Sequence, residues 1–122
     1  HKRPLHTIIP AIVKEKEIVN MPFGVMGGQY QAAGHARVLS NIYDFEMDIQ
    51  AALDAPRSFF ENGSLRIERG YDKDTVEKLS NLGHTIDQKI APIGGAQAIK
   101  IHESGVLEGA SDPRKDGCAL GY

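Results

Sequence analysis

Thr7-Ile8-Ile9-Pro10-Ala11-Ile12-Val13, then Lys14-Glu15-Lys16-Glu17, then Ile18-Val19-Asn20-Met21-Pro22-Phe23-Gly24-Val25-Met26-Gly27-Gly28, is the stretch whose reading decides the fold. Two apolar, β-branched runs flank four charged residues. That pattern predicts an antiparallel hairpin over residues 7–26 with a polar turn. Pro10 and Pro22 offer no N–H to a ladder, which places them at edges or interruptions. The second run stops at two adjacent glycines, where the backbone is free to take unusual angles.

Downstream of that hairpin the period changes. Val38, Leu39, Ile42, Tyr43 and Phe45 recur at spacings of three and four, so residues 29–45 read as a helix with one buried stripe. Gly34 weakens that helix slightly and permits close packing. Asp48 is placed to cap a short helix over 48–54, which Pro56 ends. Residues 58–60 and 65–68 read as strands across an Asn62-Gly63 turn. Asp74-Thr75-Val76-Glu77 resembles a capping box and opens a helix over 74–82, with Val76, Leu79 and Leu82 as its apolar positions and Gly83 closing it. Residues 97–101 and 105–109 form a further strand pair, and residues 110–117 are turn-rich. The sum is a mixed α/β (α+β) fold with largely antiparallel strands, too irregular in its alternation for a doubly wound sheet.

The 122 residues allow a single domain with one core, read as 1–122 without a linker or internal repeat. Fourteen Lys and Arg against 16 Asp and Glu give a net charge of −2, which gives no basic face for nucleic acid. No apolar run approaches the ~18 residues of a membrane span. Cys118 is the single cysteine, so no internal disulfide can form and a Cys-based zinc site lacks ligands. The chain begins with His1 rather than Met, so a fragment, a processed product or a trimmed chain is expected.

Gly27-Gly28 follows a strand and precedes a helix. Backbone N–H groups at such a junction can hold an oxyanion or a carboxylate; the alternative is a turn that simply needs glycine. Gly94-Gly95 is a second pair, for which the turn reading is preferred. His1, His6, His35, His84 and His102 lack metal-ligand spacing, so no metal site is expected. His6-Thr7 sets an imidazole and a hydroxyl just ahead of a strand, where they could contact a polar substrate group. Asp112-Pro113-Arg114 and Ala55-Pro56-Arg57 read as loop anchors. Cys118 reads as inert packing. The residues contain no complete catalytic set.

Five stretches resemble, in order, the C-terminal part of the small subunit of gamma-glutamyltranspeptidases. They are Lys2-Arg3-Pro4-Leu5, Gly27-Gly28, Ala52-Leu53-Asp54-Ala55-Pro56-Arg57, Gly109-Ala110-Ser111-Asp112-Pro113-Arg114 and the closing Gly121-Tyr122. The resemblance implies part of a four-layer αββα N-terminal nucleophile hydrolase sandwich. It also implies a self-cleaving precursor whose threonine nucleophile precedes the Lys-Arg-Pro motif and is absent from this chain, so Thr7 is not that threonine. By the same resemblance Gly27 and Gly28 form the oxyanion hole. His6 and Thr7 stand where transpeptidases carry two serines that contact the glutamyl α-carboxylate. That substitution points toward the transpeptidase-like branch, which includes cephalosporin-acylase-type amidases.

The implied activity is cleavage of a γ-glutamyl or related acyl amide, such as glutathione, by hydrolysis or by transfer to an amine. A transpeptidase-like cephalosporin or glutaryl amidase is the alternative, with a non-catalytic α/β binding module as a reading from another class. No metal or organic cofactor is implied. The implied partners are the remaining precursor segments (the large subunit and the N-terminal part of the small one) and a small acyl-amide substrate. Without those segments, self-association through exposed sheet is expected. Members of the family are often exported, and a single cysteine suits either compartment.

Overall fold

A computed structural model describes residues 1–3, 5, 7–88 and 91–122. The chain divides into two compact units, one made of residues 1–54 and 94–122 and the other of residues 55–93.

The first unit is built on an antiparallel sheet of order β1-β2-β6-β7. Its strands are β1 (Pro10–Glu15), β2 (Ile18–Met26), β6 (Gly95–Ile101) and β7 (Leu107–Ser111). Lys16 and Glu17, both at positive φ, make the tight turn between β1 and β2. Phe23 is opposite Ala98, Val25 opposite Ala96, and Ala98 opposite Ala110. Because side chains alternate along a strand, this register gathers all of them on one face, and each is buried. Over that face lie α1 (Gln31–Tyr43) and α2 (Ile49–Asp54), which contribute Val38, Ile49, Ala52 and Leu53 to the core. Alanines on β6 and β7 keep this face shallow. Gly34 does the same on α1: a Cβ there would lie 2.5 Å from Val25 Cγ1.

The second unit contains β3 (Ser58–Glu61), β4 (Ser64–Ile67), α3 (Lys73–Asn81) and β5 (Ile86–Asp87). As expected, β3 and β4 form a hairpin across Asn62 and Gly63, both at positive φ. The two-residue β5 pairs parallel with β4 and is too short to leave a periodic signal. Buried Arg57 donates from Nη1 to the Ile93 carbonyl at 2.9 Å. Its N–H and that of Ile93 are accepted by the two oxygens of the Glu68 carboxylate at 2.9 and 2.7 Å. The loop-anchor reading of Arg57 therefore holds.

Mixed α/β architecture with largely antiparallel sheets agrees with the sequence, and several details correct it. The first strand starts at Pro10 rather than Thr7. Pro22 neither edges nor interrupts β2, which is a central strand; instead the β2–β6 ladder stops at Phe23, one residue short of the proline that cannot donate. The helix expected over 29–45 begins as a 3-10 turn at Gly28–Tyr30 and ends at Tyr43. Its buried stripe is Gly34, Val38 and Asn41, leaving Tyr43 and Phe45 exposed. Asn41 belongs there because Nδ2 donates to the Ala52 carbonyl at 3.1 Å, joining α1 to α2.

Asp48 caps α2 as expected, accepting from Ala51 N–H at 2.8 Å. On α3 the cap is Asp72, two residues before the Asp74 of the expected box. Asp72 accepts both the Thr75 N–H and hydroxyl at 2.7 Å, while Leu82 beyond the helix is exposed. Those bonds, the backbone one foremost, hold the Asp72 carboxyl below its ordinary value. Strands 97–101 and 105–109 are extended or shifted to β6 and β7, since the turn between them runs from His102 to Val106. Among the described residues no helix is long and apolar enough to cross a membrane.

Candidate functional site

The glycine pair lies where β2 runs out and the 3-10 turn leading into α1 begins. Gly27 takes φ 136 and Gly28 takes φ 59, both in the region that favours glycine. The two positions differ in their surroundings. A Cβ on Gly27 would be 3.0 Å from Gly94 Cα and 3.3 Å from Tyr30 Cβ, whereas a Cβ on Gly28 would meet nothing within 4 Å. Gly27 is thus the packed member and Gly28 the open one. Gly94, also at positive φ, has no room for a side chain against the Met26 carbonyl oxygen and the Tyr30 ring. The second glycine pair therefore does more than turn the chain: its first member seats the first pair, a closeness that sequence spacing gives no sign of.

The peptide planes here are fixed by their carbonyls. Tyr30 N–H donates to the Gly27 carbonyl at 3.1 Å, which orients the Gly27–Gly28 peptide and hence the Gly28 N–H on its opposite side. Gln31 N–H donates to the Gly28 carbonyl and sets the next plane, carrying the Gln29 N–H. Gly28 and Gln29 head a helix and have no intrahelical acceptor for their N–H groups. Exposed, preset donors at a helix start suit a developing negative charge.

Thr7 is brought to the same place. Its carbonyl accepts the Gln31 Nε2 hydrogen bond at 3.0 Å, and Nε2 also reaches the Gly28 carbonyl at 3.2 Å. His6 lies outside the described residues. Residues 7–9 run beside a groove of about 540 Å³ on the sheet face away from the helices, with walls that include Ile8, Ile12, Pro22, Met26 and Ile99. Gln31 was missed in the sequence because a glutamine in the first turn of a helix carries no pattern.

Other sequence candidates are elsewhere. Asp112 is fully buried, accepting the Ala96 N–H at 2.7 Å with one oxygen and Arg114 with the other. Arg114 in turn donates to the Leu53 and Asp54 carbonyls that end α2. That arrangement anchors a loop, as read from the sequence. His35 Nδ1 lies 2.7 Å from the Gln31 carbonyl, with its ring 5.0 Å from that of Phe23, and His102 pairs with Glu108 at 2.8 Å. Among the described residues no group of three or more His, Cys, Asp or Glu could hold a metal ion. Cys118 is exposed and so does not pack in a core, contrary to expectation.

The family model described as Gamma-glutamyltranspeptidase matches residues 1–122. The chain belongs to the gamma-glutamyltranspeptidase family. It is 33% identical over 129 residues to a glutathione hydrolase-like proenzyme of Bacillus subtilis, covering 98% of this chain but 25% of that protein. Among solved structures it is similar to the gamma-glutamyltranspeptidase of Pseudomonas nitroreducens, with TM-score 0.87 and 27% identity over 99% of this chain and 65% of that one. It is also similar to the cephalosporin acylase of Bacillus halodurans, with TM-score 0.86 and 37% identity over 96% of this chain and 23% of that one. The chain spans about a quarter of the curated relatives it matches.

Proposed function

We propose that residues 1–122 are the C-terminal part of the small subunit of a gamma-glutamyltranspeptidase-like amidase. A longer precursor would supply the large subunit and the nucleophilic threonine. The observation that carries this reading is the glycine pair: in a chain of this family, Gly28 is open, at positive φ, with its N–H aimed by a fixed peptide plane. The whole enzyme would attack an acyl amide with its threonine. The Gly27 and Gly28 N–H groups would stabilise the tetrahedral oxyanion, and water or an amine would take the acyl group.

In this scheme Thr7, with His6 before it in sequence, would contact the acyl end of the substrate. Their departure from a pair of serines, together with the likeness to a cephalosporin acylase, supports glutaryl or cephalosporin side-chain amides as the second substrate class beside γ-glutamyl amides. The test is turnover of γ-glutamyl and glutaryl anilides by the full-length parent. Self-cleavage with release of anilide supports the reading, and a cleaved parent inert on both substrates overturns it. The isolated 122 residues should turn over neither, because nucleophilic catalysis needs a nucleophile that they lack. Measurable anilide release by the isolated chain would remove the assignment of the nucleophile to another segment.

A further inference from the structure

We infer that Gln31 is a positioning residue, a ruler that sets the distance between the acyl-recognition segment at Thr7 and the oxyanion donors at Gly28. This inference rests on the proposed amidase reading. A primary amide has two N–H bonds, and Nε2 of Gln31 reaches two carbonyls 21 residues apart in sequence, Thr7 at 3.0 Å and Gly28 at 3.2 Å. Thr7, Ile8 and Ile9 belong to no strand and are largely exposed, so the sheet ladder does not fix them. The Gln31 bond to Thr7 lies ahead of the first ladder pair at Pro10 and Gly24.

Gln31 itself is well held. Its N–H donates to Gly28 and its carbonyl lies 2.7 Å from His35 Nδ1. A residue fixed by its own backbone can transmit position through its side chain. The Gly28 N–H is itself fixed by the Tyr30 bond to the Gly27 carbonyl, so Gln31 holds Thr7 at a set distance from a donor already in place. Loss of the Gln31 amide would therefore let the segment carrying the Thr7 hydroxyl drift from the reacting centre while the helix stays intact.

Gln31→Glu separates this role from a structural one. The side chain keeps its size, but a carboxylate cannot donate to either carbonyl, and a negative charge in the first turn favours the helix. In the self-processed full-length parent the expected result is a roughly tenfold rise in KM for the anilide, the worth of one such bond, with an unchanged or higher melting temperature. Backbone order parameters at Ile8 and Ile9 should fall. Adding Thr7→Val, which removes only the hydroxyl, should make the two losses less than additive, because Gln31 acts through Thr7.

A KM within twofold of the original, strict additivity with Thr7→Val, or a loss that merely follows a fall in melting temperature would each overturn the inference. A cleaved parent inert on every acyl amide defeats the amidase reading and the kinetic role together. Backbone order parameters at Ile8 and Ile9 then decide the tether by themselves: lower values in Gln31→Glu uphold it, and unchanged values overturn it.

Discussion

Asp112 accepts the Ala96 N–H at 2.7 Å from a position with no solvent exposure, and so ties the end of β7 to the start of β6 beside the glycine turn. Its second oxygen holds Arg114, whose guanidinium closes the carboxyl end of α2. Removing that carboxylate leaves a mostly buried guanidinium short of its counter-charge and a buried N–H without its acceptor. Asp112→Ala should cost about 3–5 kcal/mol in urea unfolding, and Asp112→Asn, which keeps one acceptor, distinctly less. Equal losses from the two variants would show that the acceptor kept by asparagine contributes nothing without the charge.

Gly34 is a packing position even though alanine is the better helix former. Gly→Ala in a helix interior gains about 1 kcal/mol from propensity. Here the new methyl would sit 2.5 Å from Val25 Cγ1 and 2.7 Å from the Tyr30 ring. Overpacking of that kind costs about 1–3 kcal/mol, so the net effect should be destabilising. Thermal unfolding of Gly34→Ala checks the sign, and a higher melting temperature would refute the tight α1–β2 contact.

The fold was legible where local chemistry decides it. The Asn62-Gly63 hairpin, the Asp48 cap and the run of residues 18–26 need only neighbours in sequence to declare themselves. What was missed depends on distant partners. Asn41 looks like a surface residue until Ala52 offers its carbonyl, and β5 exists only because β4 is alongside. At the site, the glycine pair was legible as a junction, but Gly94 beneath Gly27 and Gln31 on Thr7 arise from pairings 67 and 24 residues long, and Gln31 on Gly28 is local to a helix start.

The cap of α3 gives a pH dependence with a definite sign. Hydrogen bonds from Thr75 lower the Asp72 carboxyl in the folded state, so the ionised form is favoured by folding. Its contribution is present above the ordinary carboxylate value of 3.8 and is lost as pH falls through the lowered folded value. The protection of the Thr75 amide, its exchange relative to an unstructured amide at the same pH, should therefore fall in that acid window. Asp72→Ala should show fast exchange at Thr75 at neutral pH already and lose this acid response. A variant that keeps the same acid response would assign it to another group.

Gly28→Ala tests the oxyanion assignment, and the geometry separates it from Gly27→Ala. Gly28, at φ 59, lies in the left-handed region, where an alanine costs about 1 kcal/mol, whereas Gly27, at φ 136, lies outside it and an alanine there costs more. At Gly28 the added methyl meets nothing within 4 Å, so that backbone cost is the whole stability effect expected. At Gly27 it also presses on Gly94 Cα at 3.0 Å, so the loss of stability should be larger. Turnover should rank the other way relative to stability. If the Gly28 N–H holds the oxyanion as proposed, a methyl on its open side would crowd the acyl group, and strain at that residue would rotate the donor. Loss of one oxyanion donor is worth about 3 kcal/mol, or roughly 100-fold in rate. The measurement is turnover per correctly cleaved molecule alongside melting temperature, with cleavage checked first because an uncleaved variant is inactive for another reason. A cleaved Gly28→Ala enzyme with near-normal turnover would reduce the pair to a turn that needs glycine and nothing more.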